Sequence, residues 1–323
     1  MQDVIAAIRN TWRHLPLPVR ERIYPALFKK GSLPYALSYL AKFYEGHDAD
    51  KFAGNLVTLK TEYANSSQQE QSQLSKRFIE IVDNLVLQNG VTKTTHFKRQ
   101  NAVLANILGL GRIDLEGKRL RVLEVPSSIG IASLGTYDLL SERYVIDSYT
   151  LGDLCLEVYY DRARECVFDD VGNLLQFKDN GRMFTMYRPH TSGNLYNSLI
   201  SALLSPLCLQ AWVARRKFQF DGGHHYEPIR VLHPEVEERV RQGVFRLQKL
   251  DVFVPSEGEY ELILCFNLLQ RNYFSQDRID VALDNLKNNL SESGILIVGN
   301  DELFCIWKRV GDKLVIIERN GEF

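Results

Sequence analysis

The chain has 323 residues, of which 45% are hydrophobic, 24% charged and 11% aromatic, with 39 basic against 40 acidic side chains and a formal charge of -1. That composition supplies a full globular core, enough for two ordinary domains or one domain with a sizeable appendage. Near-neutrality argues against a general nucleic-acid binder.

The N-terminus, MQDVIAAIRNTWRHLP, lacks the basic-then-apolar order of a secretory leader, and no apolar run reaches membrane-span length, so a cytoplasmic location is expected. Residues 1–90 read as helices and are expected to form an N-terminal helical domain. The first segment ends at Leu15-Pro16-Leu17-Pro18, and the second, 19–30, is closed by Gly31. A third, 32–44, takes Ser32 as cap with Pro34 in its first turn, and Asn65-Ser66-Ser67 precedes a helix over 68–87. Tyr35, Tyr39, Phe43 and Tyr44 fall at helical intervals and read as packing.

The stretch 91–110, VTKTTHFKRQNAVLANILGL, carries Thr94 and Thr95 before a helical pattern, with Arg99 one turn beyond Thr95. A hydroxyl and a guanidinium at that spacing share a helix face and can address a cofactor or an acidic group; the plainer reading is an N-cap threonine beside a solvated arginine.

Residues 120–153, LRVLEVPSSIGIASLGTYDLLSERYVIDSYTLGD, hold the strand, tight turn, helix and strand that open a doubly wound α/β sheet. The turn Pro126-Ser127-Ser128-Ile129-Gly130 keeps only the last glycine of a G-x-G-x-G pattern and makes a poor pyrophosphate cradle. Glu124 at the end of the first strand and an acid after the second suit an adenosine-type ligand without phosphates, S-adenosylmethionine above all. Both Asp147 and Asp153 follow the second-strand run, and spacing does not choose between them as the ribose acid.

Short β-type runs fill 157–188, punctuated by Asp169-Asp170-Val171-Gly172-Asn173 and Asp179-Asn180-Gly181. The insertion is expected to span about 157–228. Its stretch 195–217 is apolar and closes on Arg215-Arg216-Lys217, as a buried helix or one in peripheral membrane contact. His224-His225 with His190 and His233 are too loosely placed for a metal site, and none is expected. The five cysteines, Cys155, Cys166, Cys208, Cys265 and Cys305, lack any C-x-x-C, so neither a disulfide framework nor a zinc site is indicated.

The sheet is expected to resume with a run at 229–232, a helix over 234–242 stopped by Gly243, and a strand region over 244–254. The run 261–269, ELILCFNLL, reads as a central strand buried on both faces. A helix capped by Ser275 runs to Leu290 and is stopped by Gly294; 295–298 is a strand, and 303–310 with 313–318 form a terminal antiparallel hairpin.

Four separated stretches resemble one family, the chemotaxis-receptor methyltransferases (CheR-like) of the class I S-adenosylmethionine-dependent methyltransferases. Thr95-His96-Phe97-Lys98-Arg99 looks like that family's T-x-F-F-R, and Pro126 to Gly130 is similar to its cofactor turn. Cys265-Phe266-Asn267 followed by Tyr273-Phe274 resembles its C-R-N with Y-F, and Gly299-Asn300-Asp301-Glu302 sits where it has G-H-S-E. The resemblance covers about 92–310 and implies a Rossmann-like fold that takes S-adenosyl-L-methionine. It implies cofactor contacts at Thr95, Arg99, Glu124, Pro126, Ser127, Ser128, Gly130, Asp251, Val252, Phe266, Asn267 and Leu268, with Asp147 or Asp153 on the ribose. Arg99 would position a carboxylate or phosphate acceptor, whereas a hydroxyl acceptor would ask His96 or His190 for a base. The long hydrophobic insertion and the N-terminal helices set the chain apart from enzymes that dock receptors. They point to a small-molecule, glycan or lipid-linked acceptor rather than a protein glutamate. A non-catalytic regulator that binds S-adenosylmethionine or S-adenosylhomocysteine, a protein glutamate O-methyltransferase and a nucleotide-using dehydrogenase are the alternatives.

Overall fold

The computed structural model describes residues 47–85, 97–109, 111, 113, 115, 117, 119–186, 213–221, 224–270, 274–300 and 303–321, without the side chains of residues 47 and 97–99. In chain order the elements open with β1 (His47–Asp48), α1 (Leu56–Ala64), α2 (Gln68–Asp83), α3 (Phe97–Gly109), β2 (Arg119–Glu124), α4 (Ile131–Ser141) and β3 (Val145–Asp153). Four strands follow, β4 (Glu157–Asp161), β5 (Cys166–Phe168), β6 (Leu174–Asp179) and β7 (Arg182–Thr185), and then β8 (Glu227–Arg230). The remainder is α5 (Pro234–Arg241), β9 (Phe245–Lys249), β10 (Tyr260–Phe266), α6 (Gln276–Asn288), β11 (Leu290–Gly299), β12 (Phe304–Val310) and β13 (Lys313–Asn320). The chain divides into two compact units, each built from two stretches: Thr94–Leu156 with Val231–Phe323, and Met1–Lys93 with Glu157–Arg230.

The α/β unit holds a seven-stranded sheet in the order β13-β12-β11-β10-β2-β3-β9. β11, β10, β2, β3 and β9 are mutually parallel, while β12 and β13 add the expected antiparallel hairpin. Side chains alternate between faces with period two. Val122, Leu262, Leu264, Ile295 and Ile297 join Leu104, Ile107, Leu140 and Val236 of α3, α4 and α5 in one core, whereas Leu123, Ile263, Cys265, Leu296 and Val298 join Ile279, Ala282 and Leu286 of α6 in another. A sheet buried on both faces explains why 261–269 reads as a continuous apolar run. From β2 the chain winds outward through β3 and β9, then crosses to β10 and β11 on the other side. β2 and β10 are therefore the pair at which strand order reverses, and the crevice beyond their carboxyl ends is the expected ligand position.

One boundary differs from expectation. α6 stops at Asn288 and β11 begins at Leu290, well before Gly294, because the Tyr260 amide donates to the Asn289 carbonyl and Leu290 is buried opposite Tyr260.

The second unit carries a six-stranded sheet in the order β1-β7-β6-β5-β4-β8, with every pairing antiparallel. The β6–β7 connection is a two-residue turn with Asn180 at φ 49° and Gly181 at φ 73°, the left-handed pair that matches strand twist. Two sequence expectations are corrected here. Residues 229 and 230 do not resume the α/β sheet but end β8, which pairs with β4. The described part of the N-terminal stretch, 47–85, does not stand by itself as helices: β1 pairs with β7, and the buried Gln176 side chain accepts from the Ala53 amide at 2.9 Å and donates to the Asn84 carbonyl at 2.8 Å. Phe52, fully buried, meets the ring of Tyr160 edge-on at 5.6 Å. Helix α2 begins at Gln68 as expected and ends at Asp83 rather than 87, the Glu70 carboxylate closing its N-terminus by accepting the Ser67 amide at 2.8 Å.

The residues 1–46 and most of 195–217 lie outside the described part. Among the described residues no helix is long and apolar enough to cross a membrane.

Candidate functional site

The turn after β2 is the centre of the crevice. Val125 extends the ladder by donating to the Leu264 carbonyl at 2.8 Å, and the Val125–Pro126 peptide is cis. Ser127 N–H donates to Gly152 O at 2.8 Å, Ser128 N–H to Asp153 Oδ2 at 2.8 Å, Gly130 N–H to Ser127 O at 2.8 Å and Ser133 N–H to Gly130 O at 3.0 Å. Ser128 (φ 56°) and Gly130 (φ 77°) both adopt left-handed backbone. Gly130 is the N-cap of α4, and a Cβ there would come within 2.7 Å of Val236 Cγ1, so the glycine permits both the reversal and the approach of α5. His233, at the N-cap of α5, donates its amide to Ile129 O.

The amides of Ser127, Ser128 and Gly130 are thus spent inside the protein. The Ser127 hydroxyl, by contrast, is buried with no hydrogen-bond partner among the described residues. A buried orphan hydroxyl carries a desolvation penalty, and its position in the turn makes a ligand its natural partner.

The two ribose candidates are separated by the strand that carries them. Asp153 ends β3 in the crevice and is 5% exposed, with Oδ2 accepting from Ser128 N–H and Oδ1 from Cys155 N–H at 3.0 Å. It braces the turn. Asp147 lies near the other end of β3, about 20 Å away along extended backbone. It is exposed there and paired with Arg119 Nε and Nη2 at 2.8 and 2.5 Å. Asp147 therefore does not meet the other site residues.

Glu124 is 2% exposed, and both of its oxygens are engaged by protein: Oε1 accepts from Gln100 Nε2 at 2.9 Å and Oε2 from the Tyr149 hydroxyl at 2.5 Å. Burial pushes its carboxyl above the ordinary glutamate range, against the opposing pull of hydrogen bonds led by Tyr149 and then Gln100. Tyr149 is raised well above the ordinary phenol value, by burial first and then by the Glu124 charge.

The neighbouring strand ends complete the rim. Asn267, just past β10, sits at φ 61° and donates its amide to Gly299 O at 2.7 Å. Phe266 packs over Gly299, where a Cβ would meet its ring at 2.7 Å, and Leu268 is half-buried beside it. Two non-glycine residues in left-handed backbone, Ser128 and Asn267, follow the two strands of the switch point; sparsely populated backbone of this kind gathers at ligand sites. Beyond β9, Asp251 Oδ1 accepts from Phe253 N–H at 2.9 Å and Val252 is buried. Asn300 closes its own turn by accepting the Leu303 amide at 2.7 Å.

Thr95 and His96 lie outside the described residues; Arg99 is in α3, its side chain outside them. Gln100, Tyr149 and His233 went unrecognised as site-forming in the sequence, since an interior strand tyrosine and a helical glutamine carry no local signature. Among the described residues no group of three metal-ligating side chains exists. His224 faces Asp161 at 3.4 Å and His233 caps α5.

No protein-family model matches the chain, and no curated protein does. Among solved structures it is similar to the N-methyltransferase NodS from Bradyrhizobium japonicum WM9 in complex with S-adenosyl-L-homocysteine, at 12% identity and a TM-score of 0.27, over 63% of this chain and 62% of that one. The chain thus spans less than two thirds of that protein's length.

Proposed function

We propose that the chain binds S-adenosyl-L-methionine at the carboxyl ends of β2 and β10 and is a methyltransferase that acts on an oxygen nucleophile. One observation carries this reading. At the switch point of a doubly wound sheet, the turn 126–130 spends the amides of Ser127, Ser128 and Gly130 on the protein and leaves the Ser127 hydroxyl without a partner among the described residues. A dinucleotide would need those amides for its diphosphate. A phosphate-free adenosyl ligand needs shape, a few polar contacts and a close backbone.

In this assignment Pro126, Ser127, Ser128 and Gly130 form the floor, and Asp153, which holds the floor to β3, is the acid assigned to the ribose side. Asp251 and Val252 line the base end, and Phe266, Asn267 and Leu268 the side nearest β10. A bound sulfonium supplies an electrophilic methyl carbon. What the protein adds is alignment of the acceptor, worth up to roughly 7–11 kcal/mol in favourable cases. Arg99, in the first turn of α3, is assigned to orient a carboxylate or phosphate oxygen, and His96 to take the proton of a hydroxyl acceptor. Sequence resemblance to the chemotaxis-receptor methyltransferases supports the same positions. The apolar insertion favours a small-molecule, glycan or lipid-linked acceptor.

Thermal-shift and calorimetric titration with S-adenosyl-L-homocysteine, S-adenosyl-L-methionine and NAD tests the reading. The adenosyl compounds should stabilise the protein and NAD should not. Stabilisation by NAD alone would overturn it in favour of a dehydrogenase. Tight binding without methyl transfer to any acceptor of the stated classes would leave a regulatory binding protein.

A further inference from the structure

An acid at the end of the first strand is expected to face the amino-acid end of the cofactor. The structure gives Glu124 different work. From the geometry we infer that Glu124 is a positioning residue, whose carboxylate locks the first turn of α3 onto the carboxyl end of β2 through Gln100. This inference rests on the reading that the adjoining turn binds an adenosyl cofactor.

Glu124, Gln100 and Tyr149 are 2%, 3% and 0% exposed, so the group forms a sealed network. An ionised carboxylate only accepts, and here each oxygen already has a donor, Gln100 Nε2 on one and the Tyr149 hydroxyl on the other. The next residue of α3 is held as well. The Thr136 hydroxyl of α4 donates to Asn101 Oδ1 at 3.0 Å, and at Gly135 a Cβ would come within 2.1 Å of Asn101 Nδ2. Consecutive residues of α3 are thus fixed to β2 and to α4. Arg99 directly precedes them, so its backbone is set by the Glu124–Gln100 bond. Tyr149 in turn ties the same carboxylate to β3, the strand that ends in Asp153. One buried acid therefore registers three elements that border the crevice.

Exchanging the two side chains separates this role from direct cofactor contact. Glu124→Gln leaves the network satisfiable, because Gln100 can flip its amide and accept from the new one while Tyr149 still donates to the remaining oxygen. Gln100→Glu sets two buried carboxylates against each other. The double variant Q100E/E124Q restores donors and acceptors with one bond reversed.

The test measures S-adenosyl-L-homocysteine affinity by calorimetry and amide hydrogen exchange of α3 in the ligand-free protein. Q100E should weaken binding about tenfold or more and accelerate exchange in the first turns of α3, while E124Q and the double variant stay within about threefold of wild type in both. A tenfold loss in E124Q alone would mean that the cofactor reads the charge, and would overturn the inference. So would unchanged exchange and affinity in Q100E. If wild type binds no adenosyl compound, the cofactor reading fails, yet the exchange arm still decides whether Glu124 holds α3.

Discussion

Each unit of this protein buries carboxylates almost completely, and two of them, Glu124 and Asp161, are held in opposite ways. Glu124 in the α/β unit is 2% exposed and Asp161 in the antiparallel unit is 1% exposed. The partners of Glu124 are neutral, an amide and a phenol, so burial dominates and its carboxyl rises above the ordinary range. Burial pushes Asp161 upward too, but it is overcome by Arg164. The Arg164 amide donates at 3.0 Å, its Nε at 2.6 Å, and its charge, with that of His224, adds to the pull, so Asp161 falls below the ordinary range. Near-equal exposure therefore goes with opposite shifts: Glu124 is sealed deep among neutral partners, whereas Asp161 carries a cation and lies among partly exposed neighbours, Arg164 and His224. The arginine staples a turn for stability. The neutral pair holds a helix in register at the cost of a carboxylate that would be more comfortable protonated.

The largest effect should come from removing the cation. Arg164→Met takes the cation from Asp161 and leaves it the backbone amide of residue 164 and His224, and urea unfolding should show a loss of about 3 kcal/mol, the low end for a broken buried pair, much of it recovered in D161N/R164M. Tyr149→Phe strips one donor from Glu124 and should cost about 1–3 kcal/mol at neutral pH. The loss should shrink in acid, where a protonated Glu124 no longer needs both donors.

The pH dependence sharpens the contrast because the signs differ. A carboxyl raised on folding opposes stability once ionised, and that cost disappears as pH falls below the unfolded-state value. Glu124→Gln should therefore gain on wild type at neutral pH, with the difference closing toward acid. A carboxyl lowered on folding contributes stability above the unfolded-state value and loses it as pH falls through the folded one. Asp161→Asn should accordingly be destabilised at neutral pH, its deficit shrinking as acid is added. Denaturation at several pH values reads both. The smallest effect is expected at Asp147, exposed and paired with Arg119: Asp147→Asn should leave both the melting temperature and S-adenosyl-L-homocysteine affinity unchanged.

Much of the α/β unit was legible because its signals are local. The ELILCFNLL run, the small-residue turn ending in Gly130 and the Gly311-centred hairpin each announce an element within a few residues. What escaped was long-range. Gln176 joins Ala53 and Asn84 across 123 and 92 residues of sequence, and nothing near either end of those bonds advertises the other. Asp147 and Asp153 are alike in composition and are told apart only by which end of β3 each occupies. Glu124 was visible as an acid at a strand terminus. Its two donors come from a helix 24 residues upstream and a strand 25 residues downstream, so its task could not be read from the turn itself.

The bond between Gln176 and Ala53 also governs how the chain can be cut. A truncation starting near residue 94 looks like a tidy excision of the doubly wound portion, but it would strip β1, Phe52 and Ala53 from the inserted sheet and bare the amide of Gln176. Such fragments are lesions, and only the intact polypeptide is a fair reagent for assigning activity.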